Sequence, residues 1–169
     1  MAPYASVLLL AALVVAQCTL VPAAALGATK PFLPLLAVVA WGLLRGPVAA
    51  AWWAIGIGLM LDVVSPSPHL FYTVPMLLVV GATALSRGRL FQSNILMPWL
   101  VAALATLVFW LAQRALLPLM GAAVSWQPGT AVRELLPETA VNLLWFPVIY
   151  IPLRLAARRM SGQRMEWER

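Results

Sequence analysis

Apolar residues fill six stretches of the chain, and short segments that contain glycine, proline or charged residues separate them. In lipid such a stretch must satisfy its own backbone hydrogen bonds, so each one predicts a helix. We predict six spans, at residues 4–26, 31–44, 47–64, 70–85, 95–117 and 137–155. The second span, about 14 residues or ~21 Å long, is shorter than the ~30 Å hydrocarbon core. If it turns back within the bilayer, five crossings remain.

Composition strengthens the assignment to the membrane. Of the 169 residues, 63% are hydrophobic and 9% are charged, whereas a soluble domain has about 45–50% and 25%. We therefore predict an all-α integral membrane protein with a single domain, residues 1–169. The net charge of +6 comes from span ends and the C-terminal tail, so we assign it to membrane topology and not to nucleic-acid binding.

The basic residues divide unequally between the two sides of the predicted bundle. The side with both termini and the loops after spans 2 and 4 carries eight of them: Arg45, Arg87, Arg89, Arg154, Arg158, Arg159, Arg164 and Arg169. The other side carries Lys30, Arg114 and Arg133. The positive-inside rule then predicts that the N- and C-termini are cytoplasmic.

The third span contains a regular pattern of small residues. Ala50, Ala54, Gly58 and Asp62 recur at every fourth position, so they share one face of a helix. Small residues let another helix approach closely, and we interpret this face as a packing seam, either inside the protein or against a partner.

Asp62 needs compensation, because a carboxylate near a helix C-terminus opposes the helix dipole. Arg114 lies at a similar predicted depth, which makes Asp62 and Arg114 a candidate ion pair. Asp62 could instead cap the turn at residues 65–67, contact a partner protein, or bind a ligand or proton.

Three further polar residues lie in or beside the last span. Asn142 is its one amide, and we expect it to form an interhelical hydrogen bond. Glu134 and Glu138 flank its predicted start at Pro137, where negative charge suits a helix N-terminus.

Catalytic signatures are absent from the sequence, which has no HExxH, GxSxG or phosphate-binding glycine loop. The single cysteine, Cys18, cannot form an internal disulfide. We therefore predict a protein that is not an enzyme and that uses no cofactor or metal.

Several segments together resemble one bacterial family. Lys30-Pro31 opens span 2. A Gly-Pro turn then leads into span 3, which ends in the sequence GIGLMLDVVS. The sixth span contains the sequence NLLWFPVIYIPLR. This order is similar to that of MreD, the rod shape-determining membrane proteins. The matching positions are Gly58, Leu61, Asp62, Val63, Ser65, Asn142, Trp145, Pro147 and Arg154. The Pro-Ser-Pro-His turn after Ser65 departs from the family's glycine-rich turn.

The resemblance implies a non-catalytic scaffold or regulator of the cell-elongation machinery in the bacterial inner membrane. Its implied partners are an MreC-like protein, a RodA-like glycosyltransferase, a penicillin-binding transpeptidase and MreB-like filaments. Membrane lipid surrounds the chain, and a second copy, forming a homodimer, is a further candidate partner.

The family's fold is similar to that of the substrate-binding subunits of energy-coupling-factor vitamin transporters. Those subunits dock their transmembrane partner through a small-residue stripe, and Ala12 and Ala16 in span 1 resemble it. A substrate-binding subunit is therefore the alternative function.

The six-span topology predicts that the loop between spans 5 and 6 lies outside the cytoplasm. A fusion of alkaline phosphatase after Gln127 should be active, because this enzyme folds only in an oxidising compartment. A green fluorescent protein fused at the same position should be dark. The opposite result at this position would contradict the six-span topology.

Overall fold

The structure is a computed structural model that describes residues 3–19, 29–66, 70–86, 96–122 and 128–166. These ranges fold into six helices: α1 Pro3–Thr19, α2 Leu33–Arg45, α3 Pro47–Val64, α4 Thr73–Ser86, α5 Met97–Leu119 and α6 Pro128–Glu166. The prediction of an all-helical protein is confirmed for the described residues. The end of predicted span 1 and parts of the predicted loops, including Arg87, Arg89 and Gln127, lie outside them, as does Arg169.

Three helical segments are long and apolar enough to cross a membrane: Pro47–Val64, Met97–Leu119 and Ala131–Arg158. The other three helices supply shorter apolar segments, Leu8–Thr19, Leu33–Arg45 and Thr73–Leu85. Helix α3 has the same bounds as predicted span 3, since Pro47 opens it and the Ser-Pro sequence after Val64 cannot continue it.

The predicted loop before span 6 is wrong in its second half, because α6 begins at Pro128 and not at Pro137. Pro128 occupies the favoured first turn, and the helix continues through three internal prolines, Pro137, Pro147 and Pro152. Residues 133–136, Arg-Glu-Leu-Leu, are good helix formers, and they favour a helix that begins before Pro137. Neither Glu134 nor Glu138 lies in the first turn, so the capping role expected for them is wrong.

Helix α2 is the centre of the bundle, since it contacts all five other helices. Every residue from Leu33 to Leu43 is buried, and the six from Leu35 to Ala40 have no exposed surface. Its 13 residues extend only about 20 Å. Because protein and not lipid surrounds α2, its length does not have to match the thickness of the bilayer.

A single residue, Gly46, joins α2 to α3. Its backbone has φ 105° and ψ 167°, a conformation that essentially only glycine adopts. Its N–H donates to the Gly42 carbonyl at 3.0 Å, and its carbonyl accepts from the Ala50 N–H at 3.1 Å. Beyond this turn the Trp41 and Trp53 rings stack, with centroids 4.5 Å apart. The turn therefore fixes how α2 and α3 pack side by side.

Replacing Gly46 by alanine should lower the free energy of unfolding by about 1–3 kcal/mol, because a Cβ strains this backbone conformation. Gly81→Ala is the matched control. Gly81 is exposed on α4, and a Cβ there would meet no atom within 4 Å, so alanine should stabilise the helix by about 0.5–1 kcal/mol. Unfolding in mixed micelles with increasing dodecyl sulfate measures both values. Equal effects of the two substitutions would contradict the strained turn.

Candidate functional site

The seam of α3 lies inside the bundle. Ala50, Ala54, Gly58 and Asp62 are all buried. A Cβ built on Gly42 of α2 would lie 3.2 Å from the Ala50 Cβ, and a Cβ on Gly58 would lie 2.6 Å from the Thr73 Cα. The small residues therefore bring α2 and the start of α4 against α3, so this face packs within the protein.

Asp62 holds the start of α4. Its Oδ1 accepts from the Tyr72 N–H at 2.8 Å, and its Oδ2 accepts from the Thr73 N–H at 3.2 Å and from the Thr73 hydroxyl at 2.6 Å. Gly58 makes this approach possible, because any larger residue would displace Thr73. The carboxylate therefore caps α4 across the turn.

The same contacts explain how a carboxylate is accommodated at the end of α3. The first N–H groups of α4 have no partners inside their own helix, and a helix N-terminus favours negative charge. Leu70, two residues before Tyr72, adopts a left-handed conformation with φ 67°. The N-terminus of α4 thus compensates the unfavourable interaction between the Asp62 carboxylate and the dipole of α3.

Two amide side chains accept hydrogen bonds from the backbone N–H groups at the start of α2. The Phe32 N–H donates to Asn142 Oδ1 of α6 at 2.9 Å, and the Leu33 N–H donates to Gln17 Oε1 of α1 at 3.0 Å. Gln17 Nε2 also donates to the Pro31 carbonyl at 3.2 Å. Asn142 has no exposed surface, and its Nδ2 donates to the Thr106 hydroxyl of α5 at 3.3 Å. These bonds connect four helices at one level of the bundle.

Arg114 does not pair with Asp62 in the structure. It forms an ion pair with Glu134 of α6, and its guanidinium carbon lies 4.9 Å from the centroid of the Trp110 ring. The helix that begins at Pro128 places Glu134 within reach of α5, whereas the sequence predicts a loop or a cap for that residue. Asp62 and Arg114 therefore stabilise different helix contacts.

These residues converge at one end of the bundle, which we call the polar end, defined by Gln17, Asp62, Arg114 and Glu138. A cavity of about 660 Å³ lies there. Its polar lining includes Gln17, Lys30, Gln113 and Glu138, and its aromatic lining includes Phe32, Phe71, Tyr72 and Phe109. No group of three potential metal ligands occurs among the described residues.

Sequence reasoning missed Gln17 and Thr73. Gln17 is the only amide in α1, so the rule that singled out Asn142 would also have found it. No pattern in the sequence marks Thr73, because its role depends on the close approach that Gly58 allows between α3 and α4.

The fold and its polar end define a class: a helical membrane protein whose buried polar side chains hold helix ends together. A family model described as rod shape-determining protein MreD matches residues 3–160 of the 169-residue chain. The chain therefore belongs to the MreD family, and its role is in determining rod shape. No curated protein and no solved structure matches the chain.

A double-mutant cycle tests the separate roles of Asp62 and Arg114. Asp62→Asn should lower the free energy of unfolding by about 1–3 kcal/mol, because the amide nitrogen cannot accept from the start of α4. Arg114→Gln should lower the free energy of unfolding by at most about 1 kcal/mol, because its ion-pair partner Glu134 is 48% exposed. In the double variant the two effects should add to within about 0.5 kcal/mol.

Chemical unfolding in micelles measures all three variants against the unmodified chain. A coupling energy well above 1 kcal/mol between the two positions would show that they share an interaction, as in the ion pair that the sequence suggested.

Proposed function

We propose that the protein is a non-catalytic scaffold or regulator of the bacterial cell-elongation complex, which controls lateral peptidoglycan synthesis by binding an MreC-like partner. The observation that carries the proposal is the family match over residues 3–160. A RodA-like glycosyltransferase, a penicillin-binding transpeptidase and MreB-like filaments complete the proposed complex in the inner membrane.

The use of the buried polar groups supports a binding role. Among the described residues, every buried side-chain nitrogen or oxygen has a hydrogen-bond partner. Asp62, Thr73, Thr106 and Asn142 all bond to the protein itself. Since these groups are occupied in holding helices together, we place the function on the outer surface of the bundle.

The outer face of α3 offers such a surface, which we call the outer stripe: Val48, Trp52, Leu59 and Val63. These side chains are 46–84% exposed, and they lie opposite the buried seam of the same helix. Leu10 of α1 contacts the adjacent Gly56, with its Cδ1 3.1 Å from the position of an added Cβ. We propose that the MreC-like partner packs a transmembrane helix against the outer stripe and α1.

The proposed topology has six crossings with both termini in the cytoplasm. The central position of α2 supports the second crossing, because a helix enclosed by protein can cross at about 20 Å. The proposed fold is similar to that of the substrate-binding subunits of energy-coupling-factor transporters.

Co-purification tests the partner and the surface. The tagged chain should recover the MreC-like protein from the same genome when both are expressed in one membrane. Trp52→Ala with Leu59→Ala should reduce the recovery about tenfold or more, because two exposed apolar contacts are lost. The matched control is Leu100→Ala with Leu104→Ala, two leucines of α5 that are 55% and 53% exposed, and it should recover the partner as the unmodified chain does.

Each result has a separate meaning. Failure of the unmodified chain to recover the partner, together with unchanged rod shape after its depletion, would contradict the scaffold function. Recovery of the partner by both double variants would contradict only the assignment to the outer stripe.

The cavity at the polar end favours one alternative, a substrate-binding subunit of a vitamin transporter. Its volume of about 660 Å³ falls within the range of small-molecule sites, and polar and aromatic side chains line it together. Mass spectrometry of the purified chain distinguishes the two functions, because a stoichiometric vitamin would support the transporter subunit. Recovery of the MreC-like partner without a bound small molecule supports the scaffold.

A further inference from the structure

The end of the bundle opposite to the polar end holds a second cavity, of about 410 Å³. Arg45, at the C-terminus of α2, and Arg154 and Arg158, on α6, line it together with Leu44 and Ala157. We call this the basic end, defined by the three arginines. On α6 it lies 16 residues from Glu138, or about 24 Å along the helix.

Positive charge at the basic end has no described counter-charge. Asp62, Glu134 and Glu138 are the carboxylates whose side chains the structure describes, and all three lie at the polar end. Arg154 and Arg158 are four residues apart on one helix face, an arrangement in which like charges repel. An anion between α2 and α6 would relieve that repulsion.

The arginines are also placed to bind. All three are exposed, so their guanidinium groups are accessible. The guanidinium carbon of Arg45 lies 5.9 Å from the centroid of the buried Trp41 ring, which restricts its orientation. Guanidinium groups donate two parallel hydrogen bonds to phosphate oxygens, so a cavity lined by three of them can hold a phosphate.

The neighbouring surface distinguishes a lipid from a free anion. Ile151 and Leu155 of α6 are each 56% exposed, and they lie within one turn of Arg154. An acyl chain can cover these apolar side chains while the phosphate contacts the arginines. Basic cavities between helices at the membrane surface have this chemistry.

We infer that the basic end binds the phosphate of an anionic phospholipid, held between Arg45 of α2 and Arg154 and Arg158 of α6. The lipid links the C-terminus of α2 to α6, at the end of the bundle away from the Asn142 contacts. This inference does not depend on the scaffold function.

Native mass spectrometry of the full chain in detergent tests the site, with phosphatidylglycerol, phosphatidylcholine and inorganic phosphate as separate probes. Phosphatidylglycerol should bind at least tenfold more tightly than phosphatidylcholine. The double variant Arg154→Gln with Arg158→Gln should bind phosphatidylglycerol roughly 25-fold more weakly, because each arginine contributes about fivefold. The matched control, Lys30→Gln with Arg133→Gln, removes two exposed cations that lie on the other side of the predicted bundle. The affinity of this control variant for phosphatidylglycerol should change less than twofold.

Three results would overturn the inference. The first is equal binding of the two lipids. The second is an equal loss in the two double variants, which would show attraction to net charge alone. The third is inorganic phosphate that binds as tightly as phosphatidylglycerol, which would identify a free anion as the ligand.

If the glutamine variant fails to fold, the charge-preserving variant Arg154→Lys with Arg158→Lys tests the site in its place. It should retain binding within about fivefold, because lysine keeps the charge but loses the two parallel hydrogen bonds.

Discussion

The structure depends on the hydrogen bonds at the buried start of α2. A helix that contacts every other helix cannot leave its first N–H groups to water. Gln17 of α1 and Asn142 of α6 accept from the Leu33 and Phe32 N–H groups, and this fixes both helices against the centre. The rest of the bundle packs around a helix whose position these two amides determine.

Asp62 applies the same principle to α4. A carboxylate that would be unfavourable at the end of α3 becomes favourable at the start of the next helix, and Gly58 brings the two close enough to bond. Buried polar groups thus connect the helices at the polar end, whereas the outer stripe and the basic end remain accessible to other molecules.

The sequence predicted much of the fold and only part of the site. Apolar length and proline placement located the helices, and four-residue spacing grouped Ala50, Ala54, Gly58 and Asp62. It could not identify the partner of Asp62, because the choice between Arg114 and the start of α4 depends on how closely α3 and α4 approach. It also placed Glu134 outside a helix, because the internal Pro137 resembles a helix start.

The bond between Phe32 and Asn142 joins residues that are 110 positions apart in the chain. During synthesis at about 5–20 residues per second, α2 therefore waits roughly 6–22 s for this acceptor. Over that interval the start of α2 needs another acceptor, such as interfacial water, or a shallower position in the membrane. The centre of the bundle is completed by α6, which is made after the other five helices, so a chain truncated before α6 lacks the Asn142 acceptor for the start of α2.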